Sequence, residues 1–511
     1  MGKIQENILI LNGHDLTTDD VYRVAVSKQQ VAFSDDARGK MRASFELVKK
    51  IAASGKASYG ISTGFGEMSK VYISEENNAE LQHNLIVSHA CGVGEAFPEA
   101  ASRAIILLRL NTLASGYSGV NPKVTDLLMS CLNANVLPII PQQGSLGASG
   151  DLANLAHMAL LLIGEGRAMS GGVEMSAEEA LANNNLKAVE LSGKDGLALI
   201  NGTTIMTAVG TLALLQAEKC MQAATAAAAL TFEALHGFTA AYDERIHHLR
   251  QQQGQILTAR YMLQLLEGSE YANTRLEDVQ DPYTLRCIPQ VHGASMDAIN
   301  YVYSIINPEL NAVTDNPLVF VETGEVISGG NFHGQPLALA LDFLAIASAE
   351  LANISERRIE RLVNPQLSGG LPAFLTERGG LNSGLMIPQY TAASLVSENK
   401  ILAHPASVDS IPSSANKEDH VSMGAISARK ALKVTENVLH VIAIELMSAA
   451  QALDLQEKRQ LGRGTQLVYD FVREHISFLD RDRVLSDDII KLKEHLSQGT
   501  LSHVWRQVQE V

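Results

Sequence analysis

Cysteine is scarce in this chain, and positive charge is never in excess. The four cysteines in 511 residues, Cys91, Cys131, Cys220 and Cys287, stand without CxxC or Cys/His metal spacing. That excludes a disulfide framework and a zinc site, and the four read as buried thiols in a reducing compartment. Forty Lys plus Arg against 56 Asp plus Glu leave a formal charge of −16, which argues against nucleic acid or an anionic membrane as the main partner. The first residues, MGKIQENILILNGHDL, have too short an apolar run and too mixed a charge for a secretory signal. They also lack the arginines of a transit peptide, so a cytoplasmic protein is expected. Internal repeats and low-complexity linkers are missing, and tryptophan occurs once, at Trp505.

One uncharged run needs a membrane test: Gly196 to Ala217 covers 22 residues, enough to span a bilayer. Asn201, Gly202, Thr203, Thr204, Thr207, Thr211 and Gln216 interrupt it. Its Ala-rich continuation past Glu218 and Lys219 reads as a helix buried among helices.

A chain of this length exceeds the size at which one core stops growing, so two or three regions are expected. Residues 1–200 alternate short apolar runs with glycine and turn residues, a mixed segment whose loops can carry chemistry. Thr17-Thr18-Asp19-Asp20 ahead of VYRVAV is a local helix start. Residues 201–455 change to long Ala- and Leu-rich helices. Thr203 to Leu235 would reach roughly 50 Å at about 1.5 Å per residue; Leu337, Leu341, Leu344, Leu351 and Ile354 recur at helical spacing, and Val421 to Asp454 supplies a third rod. The class is mainly α, a long-helix bundle. Small residues in AATAAAAL and MSAAQALD let helices approach closely, so subunits could share the bundle. The charged segment 456–511 reads as amphipathic helices closing it.

Chemistry concentrates at Gly144-Ser145-Leu146-Gly147-Ala148-Ser149-Gly150-Asp151, just before the apolar LANLAHMALLLIGEG. Three readings are open. A phosphate loop would aim N–H groups at an anion, yet the segment matches neither GxGxxG nor GxxxxGK[ST] and has no lysine. A helix cap needs only Ser149 or Asp151. In the third, the Gly150 amide nitrogen attacks the Ala148 carbonyl of a tightly bent chain, an approach glycine permits. Loss of water closes a five-membered ring, and elimination of the Ser149 hydroxyl leaves an electrophilic methylidene.

Several separated blocks resemble the histidine/phenylalanine/tyrosine ammonia-lyase family, in family order: YGISTGFG (59–66), GSLGASGDLANLAH (144–157), LINGT (199–203), QDPYTLRCIPQ (280–290), GGNFHGQP (329–336) and HPASVDSIPSSANKEDHVSMG (404–424). The resemblance runs from about residue 8 into the C-terminal helices. It implies a bundle of the fumarase/aspartase-like lyase type whose mixed N-terminal region carries a 4-methylidene-imidazol-5-one made autocatalytically from Ala148, Ser149 and Gly150, with no external cofactor and no metal. Asn201 is implied beside the ring. Tyr59 resembles the base that removes the substrate's β-proton, for which a phenol with a pKa near 10 must be perturbed. Arg286 matches the arginine that grips the substrate carboxylate, a task for a planar fork of donors. Gln280 and Tyr283 match positions near the same pocket, and Phe332 an aromatic given by another subunit. A cytoplasmic homotetramer with active sites shared between chains is implied.

Within the family, Ser88-His89 resembles the histidine branch, where phenylalanine enzymes tend to have Phe-Leu and tyrosine enzymes His-Leu. Glu418, in Asn416-Lys417-Glu418-Asp419-His420, stands where the other branches look to have glutamine. A carboxylate can accept from an imidazole N–H; against a phenyl ring it would be an unpaired buried charge. The resemblance therefore implies L-histidine as substrate, with trans-urocanate and ammonia as products, the first step of histidine degradation. Ser62 and Thr204 depart from the commonest histidine-branch pattern, which has asparagine and glutamine there; neither holds a catalytic role. Other readings are a tyrosine or phenylalanine lyase or aminomutase with the same prosthetic group, an inactive helical scaffold, and a fumarase-type lyase without the group, in which His89 and Glu418 would have no purpose.

Overall fold

Local capping starts the chain's first helix as its sequence predicts: the Thr17 side chain accepts from the Asp20 N–H while the Asp20 carboxylate accepts from the Thr17 N–H, a capping box. The computed structural model describes residues 8–54, 58–64, 66–275, 278–502 and 504–505. Residues 1–7 of the start, Phe65 of YGISTGFG and residues 506–511 lie outside them.

Chain order runs β1 (Ile8–Leu11), α1 (Thr18–Ala25), β2 (Gln30–Phe33), α2 (Asp35–Ala53), α3 (Asn78–His89), β3 (Val93–Ala96), α4 (Glu99–Ala114), α5 (Pro122–Asn133), β4 (Leu137–Pro138), β5 (Pro141–Gln143), α6 (Leu152–Leu162), β6 (Arg167–Ser170), β7 (Val173–Ser176), α7 (Ala177–Asn183) and α8 (Asp195–Ile200). The long rods follow: α9 (Thr204–Ala234), α10 (Glu244–Arg250), α11 (Gln253–Leu265), α12 (Tyr283–Arg286), α13 (Ile288–Glu309), the hairpin β8 (Leu318–Phe320) and β9 (Glu325–Ile327), α14 (Gln335–Val363), α15 (Met386–Leu402), α16 (Gly424–Asp454), α17 (Arg463–His475) and α18 (Leu485–Ser497). The fold is mainly α. Strands form only small sheets: parallel β1-β2, antiparallel β3-β5 and β8-β9, and β4-β6-β7.

The chain divides into two compact units, 1–212 with 304–341 and 405–429, and 213–303 with 342–404 and 430–511. In the first, α4 is buried along almost its whole length and packs on α1 and α5. Helices α3, α6 and α8 pack on one another. His89 ends α3, Asn201 is the C-cap of α8, and Ala148-Ser149-Gly150 lies just before α6. One packing event thus gathers three separated motifs.

In the second unit the interior includes Arg358 and Glu445, both wholly buried and paired through two hydrogen bonds of 2.5 and 2.9 Å. Thr231 and Ser355 also donate to that carboxylate, as a buried charge requires. Among the described residues, α14 is the helix long and apolar enough to cross a membrane, and 67 % of its apolar window is buried inside the protein. The uncharged run at Gly196 to Ala217 instead belongs to α8 and α9, broken at Asn201 to Thr203. Cysteine burial corrects the sequence: Cys131 and Cys220 are buried, Cys287 is half-buried and Cys91 is exposed.

Candidate active site

The glycines flanking Ser149 bend the chain sharply. Ser149 has φ 50°, Gly147 93° and Gly150 83°, the left-handed region that glycine enters freely. A Cβ on Gly150 would lie 2.0 Å from the Gly202 carbonyl oxygen, so no other residue fits there. The turn is closed by a Gly150 N–H to Gly147 carbonyl bond of 3.3 Å. Residue Gly202 then clamps it from the far side: its N–H donates to the Ser149 carbonyl at 3.1 Å and its carbonyl accepts from the Asp151 N–H at 2.8 Å.

These bonds weigh against two of the three readings of the segment. The Gly150 and Asp151 N–H groups point at protein carbonyls, which leaves them unsuited to a phosphate. Capping does occur, on a different helix: Asp151, before α6, gives α6 no side-chain cap, and its Oδ2 accepts from Ile205 and Met206 N–H at 2.8 and 3.0 Å, at the start of α9. Burial pushes the Asp151 carboxyl up to about 7, against those two N–H groups and Arg109. The ring-forming reading fits the geometry, since the bend at Ser149 is already made. The buried Asn201 Oδ1, in the wall beside it, has no partner among the described residues.

A cavity of about 390 Å³ opens on this turn, lined among others by Tyr59, His89, Ala148, Ser149, Asn201 and Glu418. All belong to the first unit. The volume suits one small ligand. Ser149 Oγ donates to Glu418 Oε1 at 3.5 Å, and Ser413 Oγ donates to Glu418 Oε2 at 3.2 Å. The Ser413 and Glu418 backbones pair, pinning the loop whose Ser414, Ala415 and Asn416 take positive φ. The Asn201 Nδ2 donates to Asp315 Oδ1 at 3.3 Å and to the Asn316 carbonyl at 2.9 Å.

Burial depresses the pKa of His89, against the Leu85 carbonyl and the Glu418 charge, so its ring is neutral near pH 7, with Nδ1 3.1 Å from Ser88 Oγ. A neutral imidazole has one donor and one acceptor nitrogen. Burial and the Glu418 charge push Tyr59 above 10.0, while the Gly66 N–H, 3.5 Å from its hydroxyl, pulls the other way. In this state Tyr59 is a neutral phenol, the reverse of the shift a base requires. Ser62 accepts from the Ser58 N–H at 2.9 Å, a bond that spans Tyr59.

Gln280, Tyr283 and Arg286 belong to the second unit and form a cluster of their own: Arg286 Nη1 donates to Gln280 Oε1 at 2.8 Å, and its guanidinium lies 4.6 Å from the Tyr283 ring centre. Tyr283 is 70 % exposed. None of the three lines the cavity, nor does the half-buried Phe332. Missed from sequence were the cavity-lining Cys91, Asn316 and Ser413, and the buried charges Arg109, Lys194 and Asp315 behind Asn201. Ser413 lies inside the 404–424 block, and Asp315 and Asn316 in a TDNP stretch ahead of a proline; nothing local marks Cys91, Arg109 or Lys194.

The chain matches the family model for aromatic amino acid lyase over residues 16–474. It is 60 % identical over 487 residues to a protein named histidine ammonia-lyase from Treponema denticola, covering 95 % of this chain and 96 % of the relative. Among solved structures it is similar to histidine ammonia-lyase from Trypanosoma cruzi (TM-score 0.91, 43 % identity, 98 % of this chain and 95 % of that one). It is also similar to tyrosine aminomutase from Streptomyces globisporus (TM-score 0.92, 39 % identity, 98 % of each chain).

Proposed function

Because this chain belongs to the aromatic amino acid lyase family, we propose that it eliminates ammonia from L-histidine without oxidation, giving trans-urocanate. The observation that carries this reading is the cavity uniting Ala148 and Ser149 of the prebent turn with Tyr59, His89, Asn201 and Glu418. Identities of 50 to 60 % to proteins named histidine ammonia-lyase support the choice of substrate.

Ala148, Ser149 and Gly150 would form the 4-methylidene-imidazol-5-one, which would supply an electrophilic alkene carbon able to activate the substrate's nitrogen as a leaving group. His89 and Glu418 orient the imidazole: neutral His89 donates or accepts once, and the Glu418 carboxylate accepts from the ring N–H. Asn201 presents its unpartnered Oδ1 to the site. Tyr59 takes the β-proton as phenolate, so turnover follows the small fraction of Tyr59 that is ionised. Arg286 grips the carboxylate bidentately, with Gln280 and Tyr283 holding the fork. Positioning and covalent activation supply the rate together.

Since the cavity lining contains neither that trio nor Phe332, we assign them to the site of a second copy, in a homotetramer. Exposed Leu339, Phe343 and Ile346 recur every three or four residues on α14, at 51, 43 and 41 %, an apolar stripe suited to another chain.

The test is ultraviolet monitoring of urocanate formed from L-histidine, beside an intact-mass measurement of the chain. Active enzyme should weigh two waters less than its sequence, and Ser149→Ala should keep the helical fold and lose nearly all turnover. Full-mass enzyme with complete activity would sink the electrophile. A β-amino acid product, or turnover of L-tyrosine alone, would move the chain to the aminomutase or tyrosine reading.

A further inference from the structure

Behind the Ala148-Ser149-Gly150 turn lie basic and acidic side chains that the reaction above does not use. Arg109, on α4, is wholly buried, and its Nη1 donates to the Asn201 carbonyl at 2.6 Å, while its Nε and Nη2 have no partner among the described residues. Lys194 and Asp315, also wholly buried, pair at 2.5 Å, and Asp315 Oδ1 receives the Asn201 side chain. The Asn201-Gly202 segment is therefore held from behind through both its backbone and its side chain. On its other side the same segment bends the tripeptide, through the two Gly202 bonds and the close approach of its carbonyl to Gly150 Cα.

Taking a guanidinium out of water is costly unless pairing offsets it, and among the described residues Arg109 makes no bidentate pair. Its one short bond goes to the carbonyl that fixes where Gly202 sits. We propose that Arg109 is a positioning residue for the self-dehydration of Ala148-Ser149-Gly150, holding Asn201-Gly202 as the fixed surface against which the tripeptide is bent. This rests on the reading that the tripeptide closes. In that closure the Gly150 nitrogen bonds to the Ala148 carbonyl carbon, whose oxygen leaves as water with the Gly150 and Ser149 amide hydrogens. The Ser149 hydroxyl and Cα hydrogen leave as the second water, and nothing is oxidised or reduced. A shift of Gly202 by about 1 Å would slow such a step roughly 100-fold.

The experiment follows intact mass at intervals after a pulse of synthesis, in the wild type and in Arg109→Lys and Arg109→Met, with circular dichroism and size verifying the fold. Lysine keeps the charge without the fork; methionine fills the space without charge. The expected result is folded variant protein that still carries both waters, closing roughly 100-fold more slowly than the wild type. Folded variants that lose both waters at the wild-type rate would overturn the proposal. So would failure of both variants to fold, because Arg109 would then serve the fold and not the turn. An active wild type that never loses the two waters would instead refute the closure itself.

Discussion

At Glu418 two roles meet in one side chain. It accepts from Ser413 Oγ and, before the tripeptide closes, from Ser149 Oγ, and its charge raises the pKa of both Tyr59 and His89. Glu418→Gln keeps the shape and removes the charge. A hydrogen bond to a charged group contributes about 1.5–3 kcal/mol, so kcat/KM for L-histidine should fall about ten- to a hundredfold. The pH profile distinguishes this from mere loosening of the loop. With Tyr59 raised above 10.0, wild-type kcat/KM should climb with pH through the range below that value, as phenolate accumulates. Removing Glu418 lowers the Tyr59 pKa, so this limb should move to lower pH. The acid limb belongs to His89, depressed below 6.5: as pH falls through the depressed value the ring gains a proton and loses its acceptor. It too should move down in Glu418→Gln. Unmoved limbs would show that the carboxylate acts only through geometry.

Among elements, the long helices are where composition spoke most clearly. Leu337, Leu341, Leu344 and Leu351 are wholly buried on α14 as their spacing predicts, and α9 begins and ends within one residue of the predicted rod. Apolar periodicity is a local property, so it can be read locally. Ion pairs cannot: Arg358 and Glu445 stand 87 positions apart, on helices whose neighbours in sequence give no sign that either charge is inside. The same holds for Arg109 beneath Asn201, 92 positions away, and for Asp151, which reads as a cap for the helix beside it and caps α9 instead. The site motifs were legible through family resemblance; that α3, α6 and α8 would bring three of them together depends on packing. In the second unit, Glu445→Gln should destabilise by about 3–5 kcal/mol, because Arg358 is left buried without its counter-charge. Denaturant unfolding measures this. Replacing both partners by apolar residues of similar volume should restore most of the loss; a double variant as unstable as the single one would show that the pair's hydrogen-bonded surroundings matter more than its charges.

For the whole molecule, the hardest constraint is that some of the proposed site residues line the cavity and others do not. The cavity is lined by Ala148, Ser149, His89, Glu418 and Tyr59 but, among the described residues, by no arginine or lysine, while Gln280, Tyr283 and Arg286 form a cluster of their own with Tyr283 largely exposed. If a second copy completes each site, defects in the two clusters lie in separable contributions. Arg286→Ala and Ser149→Ala chains should each be nearly inactive alone. Unfolded together and reassembled at equal ratio, they should form some sites with both contributions intact, recovering roughly a quarter of wild-type turnover for random pairing of chains. Charging the α14 stripe, as in Phe343→Glu with Ile346→Lys, should lower the solution mass measured by light scattering and abolish turnover. The loss of two waters should survive, because the turn and its Gly202 clamp lie within one unit of one chain. Activity that persists in a monomer, or mixed chains that stay silent while co-assembling, would mean that each chain builds its site alone.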